Sequence, residues 1–321
     1  MNILRQFGAA LVLAAAATAN AAAPAKWTIT DLGNGFNPAF GAVYATAVNN
    51  RGQVTGWAYA NQPIPMHHAF IWENGTLTDL GVPAGSFESG AYGINNKGTV
   101  VGHDGSRIAF YADGVWTRLE VQGSANDVND RGTIVGSYNS VGTRPFMYRD
   151  GVFMDLGMSY GVTYAVNHKD AIVGWTYDNA FHPRAWLYEN GAVRDLGTLG
   201  GTDAYAFDIN NHGVVVGASS HATGLAQAFI YENGAMRALF AMNHGYSHAR
   251  SINDHGDITG TIDGRGFLLT RDGTLTMLES LPGVGSGGWS WLQPTSINDR
   301  GWIVGTALRN GTTRSFLLKP R

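Results

Sequence analysis

Short apolar stretches of four to six residues, rich in valine, isoleucine, phenylalanine and tyrosine, follow one another along most of this chain. Around Asn210 they cover residues 206–210, 214–218, 228–232 and 235–239, with polar or glycine-containing turns between them. Runs this short, bounded by glycine, asparagine and aspartate, are typical of β-strands and leave no length for helices. The pattern therefore predicts an all-β chain built from units of four short strands.

The turns carry a repeated motif, Asn-x-x-Gly-x-x-x-Gly, with one variant at Asn167 in which Asp170 replaces the first glycine. Glycine supplies the positive φ of a tight hairpin, and aspartate is one of the few other residues that adopt this conformation. The motif predicts seven copies of one unit, here called repeats 1 to 7, and their first asparagines are Asn49, Asn95, Asn129, Asn167, Asn210, Asn253 and Asn298.

The two ends of the chain complement each other. Repeat 7 ends at its third strand, Phe316–Leu318, whereas the segment Trp27–Gly33 resembles fourth strands such as Leu77–Gly81. Four strands in a period of about 42 residues are typical of a propeller blade, and an open β-solenoid is the alternative. Pairing of the two ends would remove two exposed sheet edges. We therefore predict a seven-bladed β-propeller of four-stranded blades, closed by the N-terminal strand pairing with the last blade.

Composition and the first residues indicate an exported protein. Residues 1–21 resemble a secretory signal, with Arg5, a short apolar run and an Ala-x-Ala-like site ending at Ala21, although a buried N-terminal helix is the alternative. The remainder, 22–321, is predicted to be a single β-propeller domain, secreted or periplasmic, monomeric and not inserted in a membrane. The absence of cysteine excludes disulfides and thiolate metal sites, and a net charge of −3 argues against a nucleic-acid partner.

The repeat resembles the HAF-repeat family of bacterial extracellular proteins. The stretch Asp195–Gly201, followed by Ile209-Asn210 and Val216-Gly217, carries the likeness, and His68-Ala69-Phe70 gives the triplet itself. This resemblance implies secretion and a propeller-like body. It supplies no catalytic residues, because the motif positions are turn and strand residues.

Aromatic residues mark the expected binding surface. The short Asn-x-x-Gly and Asn-Gly turns would share one face of a propeller, called the turn face, and the variable connections would share the other, called the variable face. Binding residues usually lie on variable loops held by a rigid scaffold, and aromatic rings can stack on sugars or apolar groups. Packing of the same rings against the rim is the alternative. The candidates for ligand binding, the last two in an expected flexible loop, are Trp57, Tyr59, Trp175, Tyr177, Tyr246, Trp289 and Trp291.

Few ionisable residues form a pattern that selects a chemistry. Asp127 and Asp208 each precede a repeat asparagine by two positions and are weak candidates for cation ligands or a catalytic carboxylate pair. The alternative is that they are solvated or turn-bonded aspartates. His244 and His248 have a spacing that could hold a metal, but the sequence offers no evident third ligand. His68, in the triplet position, is more often a structural residue.

Two functions of different classes fit these observations. The first is a secreted binding or scaffold module for glycan or protein ligands, which needs no cofactor. The second is a polysaccharide hydrolase or lyase that uses the carboxylates or loop histidines with a divalent cation. The fold cannot decide between them. The regularity of the repeat favours the binding module over the enzyme.

Overall fold

The computed structural model describes residues 27–36, 42–60, 66–240 and 245–321, and almost all of its regular structure is β-strand. The proposed signal, residues 1–21, and His244 lie outside the described residues. Two short 3₁₀ segments, Leu278–Ser280 and Gly285–Gly287, are the helical elements found in the described ranges. No helical segment within these ranges has the length and apolarity needed to cross a membrane.

The strands follow the repeats. The strand before repeat 1 and those of repeats 1 to 3 are β1 (Trp27–Asp31), β2 (Val43–Val48), β3 (Val54–Tyr59), β4 (His67–Glu73), β5 (Thr76–Asp79), β6 (Gly90–Ile94), β7 (Val100–His103), β8 (Arg107–Ala112), β9 (Val115–Val128), β10 (Ile134–Ser140), β11 (Gly142–Arg149) and β12 (Val152–Asp155). Those of repeats 4 and 5 are β13 (Gly161–Val166), β14 (Ile172–Tyr177), β15 (Pro183–Glu189), β16 (Ala192–Asp195), β17 (Gly200–Ile209), β18 (Val215–His221), β19 (Ala226–Glu232) and β20 (Ala235–Ala238). Those of repeats 6 and 7 are β21 (Ser247–Ile252), β22 (Ile258–Ile262), β23 (Arg265–Leu269), β24 (Leu275–Met277), β25 (Trp289–Ile297), β26 (Ile303–Arg309) and β27 (Thr312–Pro320).

These strands form six antiparallel sheets, which corrects the prediction of seven separate four-stranded ones. Five sheets have four strands, and the sixth has seven, because repeats 2 and 3 share the long strand β9. Its first half pairs with β8, as in Arg118 opposite Ala109, and its second half pairs with β10, as in Asp127 opposite Val135. The two repeats merge because no turn separates the end of one from the start of the next. Gly123 lies where the strand changes partner. Its φ is 147°, and a Cβ atom on it would collide with the main-chain oxygen of Ser137.

The N-terminal strand completes the sheet of repeat 7, as the sequence predicted. Trp27 lies opposite Pro320 and Asp31 opposite Phe316 in the β1–β27 ladder. The carboxylate of Asp31 also accepts a hydrogen bond from Arg309 at 3.0 Å. The sheet order is therefore β1-β27-β26-β25, with both ends of the described chain in one sheet.

The hairpin motif has the conformation that its residues predict. In repeat 1, Asn49 and Gln53 form a backbone hydrogen bond across the turn, and Gly52 has a φ of 89°. Asp170, which replaces glycine in repeat 4, has a φ of 62°, so its backbone adopts the expected left-handed conformation. Burial alone would raise the pKa of Asp170, but hydrogen bonds from Thr133 and Asn129 and nearby arginines lower it. The variant residue thus also joins repeat 3 to repeat 4.

The repeat asparagines are linked to one another. The side-chain Nδ2 of each donates to the main-chain carbonyl of the next, over distances of 2.8–3.1 Å. Asn298 donates back to Asn49 at 2.8 Å, so these seven hydrogen bonds form a circle. The first strands of successive repeats also contact each other, including β25 with β2. We call the seven hydrogen bonds the asparagine circle.

The core lies between neighbouring sheets. The aromatic residue in the third strand of most repeats is fully buried, at Phe70, Phe146, Trp186, Phe229, Phe267 and Phe316. Each packs against apolar residues of its own sheet or of an adjacent one. Burial of such rings supplies much of the free energy that holds the sheets together.

Candidate functional site

Every first strand contains a β-bulge three residues before its repeat asparagine. In β17, for example, Ala206 pairs with Gly217 and Asp208 with Val216, which leaves Phe207 as the extra residue. A bulge turns a side chain away from the direction that a regular strand would give it. The seven bulge residues are Thr46, Tyr92, Asn126, Tyr164, Phe207, Arg250 and Thr295.

The last glycine of the repeat motif lies opposite this bulge. A Cβ atom on Gly217 would approach the main-chain oxygen of Tyr205 to 1.9 Å. The equivalent glycines of the other repeats, such as Gly56 and Gly174, approach the facing strand equally closely. Close contact between the two main chains therefore requires glycine at this position. The glycine is the sequence signal that could have located the bulges.

The bulge residues differ in what they contact. Thr46, Asn126 and Thr295 each donate a side-chain hydrogen bond to a main-chain carbonyl of the next repeat. Tyr164, Phe207 and Arg250 come from three successive repeats and have aromatic or cationic groups. Tyr164 and Phe207 rings lie 5.5 Å apart, and the Arg250 guanidinium lies 4.7 Å from the Phe207 ring centre. Some bulge residues therefore bond neighbouring sheets to each other, whereas Tyr164, Phe207 and Arg250 form a cluster of aromatic and cationic groups.

Around these residues, aromatic side chains form a continuous patch on the variable face. Trp175 lies 5.1 Å from Tyr177 and 5.5 Å from Tyr205, measured between ring centres. Tyr205 continues to Phe207 at 6.3 Å, and Tyr177 continues to Phe181 at 6.3 Å. The six members of this group, called the aromatic patch, are Tyr164, Trp175, Tyr177, Phe181, Tyr205 and Phe207. Their exposed members present ring surface to solvent, with Phe181 77% accessible.

Trp57 and Tyr59 belong to a second, smaller group in repeat 1. The Trp57 ring stacks on Tyr44 at 3.9 Å and meets His67 at 4.5 Å. His67 in turn lies 3.5 Å from the Glu88 carboxylate. Since Trp57 is stacked on its cross-strand neighbour and is half-buried, much of its surface is used within the sheet.

The remaining predicted binding residues divide by exposure. Tyr246 and Trp291 are 58% and 57% accessible. Trp289 is buried, contacts Phe316 and lies beneath Arg309, so it packs in the core of repeat 7. Both tryptophans belong to β25, and the flexible loop expected around them is wrong.

Three exposed aromatic residues have a left-handed backbone. Tyr160, Phe181 and Trp291 have φ values of 56°, 61° and 53°. This conformation is unfavourable for bulky side chains, and strained residues concentrate at functional sites. All three lie in or beside variable-face connections.

The carboxylates of Asp127 and Asp208 fasten the first strands to one another. Asp127 accepts hydrogen bonds from the N–H groups of Val128 and Val166, and Asp208 accepts from those of Ile209 and Ile252. Burial raises the pKa of Asp127 to about 7, with the Asp208 charge adding to the shift, and burial also raises the pKa of Asp208. The contacts with Val128 and Ile209 are local, as in the turn-bonded alternative, and those with Val166 and Ile252 join each repeat to the next.

Of the predicted histidine pair, the structure describes only His248, since His244 lies outside the described residues. Burial and the nearby Arg250 charge lower the pKa of His248, which lies 6.4 Å from Phe207 between ring centres. Across the described ranges, no three histidine, aspartate or glutamate side chains come together as metal ligands.

The chain matches one protein family over more than half of its length. Residues 117–317 match the family described as a protein of unknown function (DUF3466). Comparison with curated proteins gives no match.

The resemblance to the HAF-repeat family is wrong, since the matched family is a different one. The residues that suggested it have local structural roles. His68 bonds the Asp79 carboxylate on the neighbouring strand at 2.9 Å, while Ala69 and Phe70 are buried in the core.

Several solved structures share the fold. The β-propeller domain of the Trilobed protease from Pyrococcus furiosus has 11% identity and a TM-score of 0.57, covering 86% of this chain and 95% of that one. YCF48 bound to D1 peptide has 11% identity and a TM-score of 0.56, covering 92% and 98%. A puromycin-hydrolyzing peptidase from Mycobacterium tuberculosis has 13% identity and a TM-score of 0.55, but this chain, matched over 82%, spans only 48% of its length. These likenesses identify an all-β, propeller-like fold.

Proposed function

We propose that this chain, which belongs to the DUF3466 family, is an exported binding module that holds a glycan on its variable face. The observation that carries the proposal is the aromatic patch, in which neighbouring rings are linked at centre distances of 5.1–6.3 Å across repeats 4 and 5. Aromatic side chains with one packed and one exposed surface are suited to stacking against the apolar face of a sugar. Tyr246 and Trp291 extend the same face.

We further propose that the six sheets act as a seven-bladed propeller closed by the N-terminal strand. In this interpretation the seven-stranded sheet is two blades that share β9. The asparagine circle supports it, because one amide from each repeat takes part and the last returns to the first. A rigid ring would hold the aromatic patch in a fixed shape, which lowers the entropy lost on binding.

The strain at Phe181 supports a binding role over a packing role. Its ring is largely exposed, so packing compensates little of the unfavourable left-handed backbone. Asp127 and Asp208 give no comparable support for the enzyme, because backbone N–H groups occupy both oxygens of each carboxylate.

Export rests on residues 1–21 and has its own test. Expression of the full chain in a bacterial host, followed by N-terminal sequencing of the periplasmic and culture fractions, should give a mature protein that begins at Ala22. An unprocessed chain confined to the cytoplasm would contradict export and would leave the binding proposal to be judged separately.

The binding proposal is tested with a glycan array and a panel of soluble polysaccharides. The mature protein is compared with a Tyr177→Ser/Tyr246→Ser variant, which removes two exposed rings, and with Val152→Ser, which changes an exposed residue of β12 beside a turn-face hairpin. We expect retention of at least one glycan class by the wild type and by Val152→Ser, and loss of about tenfold in affinity in the double variant.

Three outcomes would contradict this proposal. They are no binding to any glycan, equal binding by all three proteins, and capture only of protein ligands. Depolymerisation of a polysaccharide that stops when a chelator is added would instead support the hydrolase or lyase.

A further inference from the structure

A pocket of about 350 Å³ lies beside the aromatic patch, where repeats 4, 5 and 6 meet on the variable face. Rings of Tyr164, Tyr205, Phe207 and Tyr246 line it. This volume is near the lower limit of the roughly 300–1,000 Å³ of pockets that hold drug-sized molecules. It therefore suits one group of a larger ligand. This pocket is therefore a place where the end or a branch of a bound chain could be held.

The pocket contains a cation that forms no ion pair with any side chain the structure describes. The guanidinium of Arg250 stacks over the Phe207 ring, and no ion pair or side-chain hydrogen bond joins it to any residue that the structure describes. The bulge residues Asn126 and Thr295, at the equivalent position, bond the next repeat instead. Because arginine has five N–H donors and is always charged, a carboxylate is a well-matched ligand for it.

A carboxylate on the same pocket wall narrows the ligand further. The Asp203 backbone is fixed by Ser219 and Ser220, but its side chain makes no hydrogen bond or ion pair within the described ranges. Asp203 would repel a ligand of several negative charges, such as a phosphate, and would accept hydrogen bonds from hydroxyl groups. The favoured ligand therefore presents one carboxylate, several hydroxyls and an apolar ring face.

We propose that the glycan bound by this face is acidic, and that Arg250 holds the carboxylate of a uronic acid unit in this pocket. The sugar ring would lie against Tyr164 or Tyr246, and its hydroxyls would reach Asp203. This inference rests on the proposed glycan-binding function. It adds the class of sugar and the residue that selects it.

The test compares a charged ligand with its neutral twin. Binding of tetragalacturonic acid and of its fully methyl-esterified form is measured by calorimetry on the mature protein at about 20 mM salt, where screening is weak. We expect the wild type to prefer the acid about tenfold. Arg250→Gln should abolish that preference, whereas Arg194→Gln, which alters an exposed arginine of β16 outside the pocket, should keep it.

Arg250→Lys provides a second variant that retains the charge. It should keep a reduced preference that disappears at about 0.5 M salt, because a point charge replaces the planar fork. This measurement decides the case if Arg250→Gln fails to fold in a thermal melt.

Several results would overturn the inference. These are equal binding of acid and ester by the wild type, an unchanged preference in Arg250→Gln, and binding of acidic peptides in place of the acidic sugar. The first of these, with affinity for neutral glycans retained, would leave the binding module standing. Absence of glycan binding across the whole panel would remove both proposals.

Discussion

The two glycines of a complete repeat motif have different physical tasks. In repeat 5, Gly213 has a φ of 83° and open space around its Cα, so only its conformation excludes other residues. Gly217 lies in a strand, where a Cβ would collide with the Tyr205 carbonyl oxygen and the Phe229 ring. One glycine serves the backbone angle of a turn, and the other allows two strands to approach at the bulge.

The two tasks predict unequal losses of stability. Gly213→Ala should lower the free energy of unfolding by about 1 kcal/mol, the cost of a left-handed alanine. Gly217→Ala should lower it by about 3 kcal/mol or more, because the facing strand has to move. Urea unfolding monitored by tryptophan fluorescence measures both. Equal losses would mean that close approach at the bulge is not limiting.

Phe181 allows stability and binding to be separated. Phe181→Asn should raise the free energy of unfolding by about 0.5–1 kcal/mol, because asparagine tolerates the left-handed backbone. It should also weaken glycan binding, because an exposed ring of the aromatic patch is lost. Thermal melts and calorimetric titration give the two quantities.

Tyr160→Asn is the matched control for this prediction. Its φ is similar, but its ring lies against Gly142 and outside the aromatic patch. It should gain similar stability and bind as the wild type does. A Phe181→Asn protein with undiminished affinity would place the ligand elsewhere.

At the scale of elements, the first strands are fastened two residues before the repeat asparagine. Asp127 and Asp208 accept a backbone N–H of the next repeat, and Ser251 and Ser296 do so in repeats 6 and 7. A hydroxyl and a carboxylate thus perform the same task. The carboxylate, however, adds a charge that burial makes unfavourable, which is why the pKa of Asp127 rises.

This raised pKa predicts a pH dependence of stability. Since the folded protein binds the proton of Asp127 more tightly than the unfolded chain does, the contribution is full below about pH 4 and is lost as pH rises through about 7. The free energy of unfolding of the wild type should therefore decline between pH 5 and 8. In Asp127→Asn this decline should be smaller by roughly 1–2 kcal/mol, an amount that allows for the partial exposure of the Asp127 side chain to solvent.

The slope with pH, measured by urea unfolding in a buffer series, is the quantity to compare. Asp208→Ser copies the residue of repeats 6 and 7 and serves as the control. It should keep the decline in unfolding free energy that Asp127 causes, and this decline should occur at slightly lower pH because the Asp208 charge is gone. Identical slopes for Asp127→Asn and the wild type would refute this assignment.

For the whole molecule, the asparagine circle predicts that repeats 7 and 1 are joined by their amide hydrogen bond as strongly as repeats 5 and 6 are. Asn298→Ala and Asn210→Ala each remove one inter-repeat bond and the two backbone contacts of a turn. Both should lower the free energy of unfolding by about 2–3 kcal/mol. A clearly smaller loss for Asn298→Ala would show that repeats 7 and 1 are not joined in solution, and would contradict the closed ring.

Local rules explain why some of this structure could be predicted from the sequence. The hairpin motif, the left-handed Asp170 and the pairing of Trp27–Asp31 with the last repeat follow from turn chemistry and from matching strands. The shared strand β9 and the backbone contacts of Asp127 depend on the register between distant strands, which no short motif specifies. For the same reason Trp289 looked exposed in sequence, although it begins a strand whose neighbours bury it.

The pairing of β1 with β27 also bears on how the chain folds. Trp27 and Pro320 meet only after nearly the whole sequence has been made, and contacts so distant along a chain slow folding. Until β1 and β27 pair, β1 has no ladder partner, and β27 leaves an unpaired sheet edge of the kind that favours association between chains. The strand that joins the two ends of the folded molecule is therefore the one that waits longest during synthesis, and the late steps of folding are those in which aggregation competes most strongly.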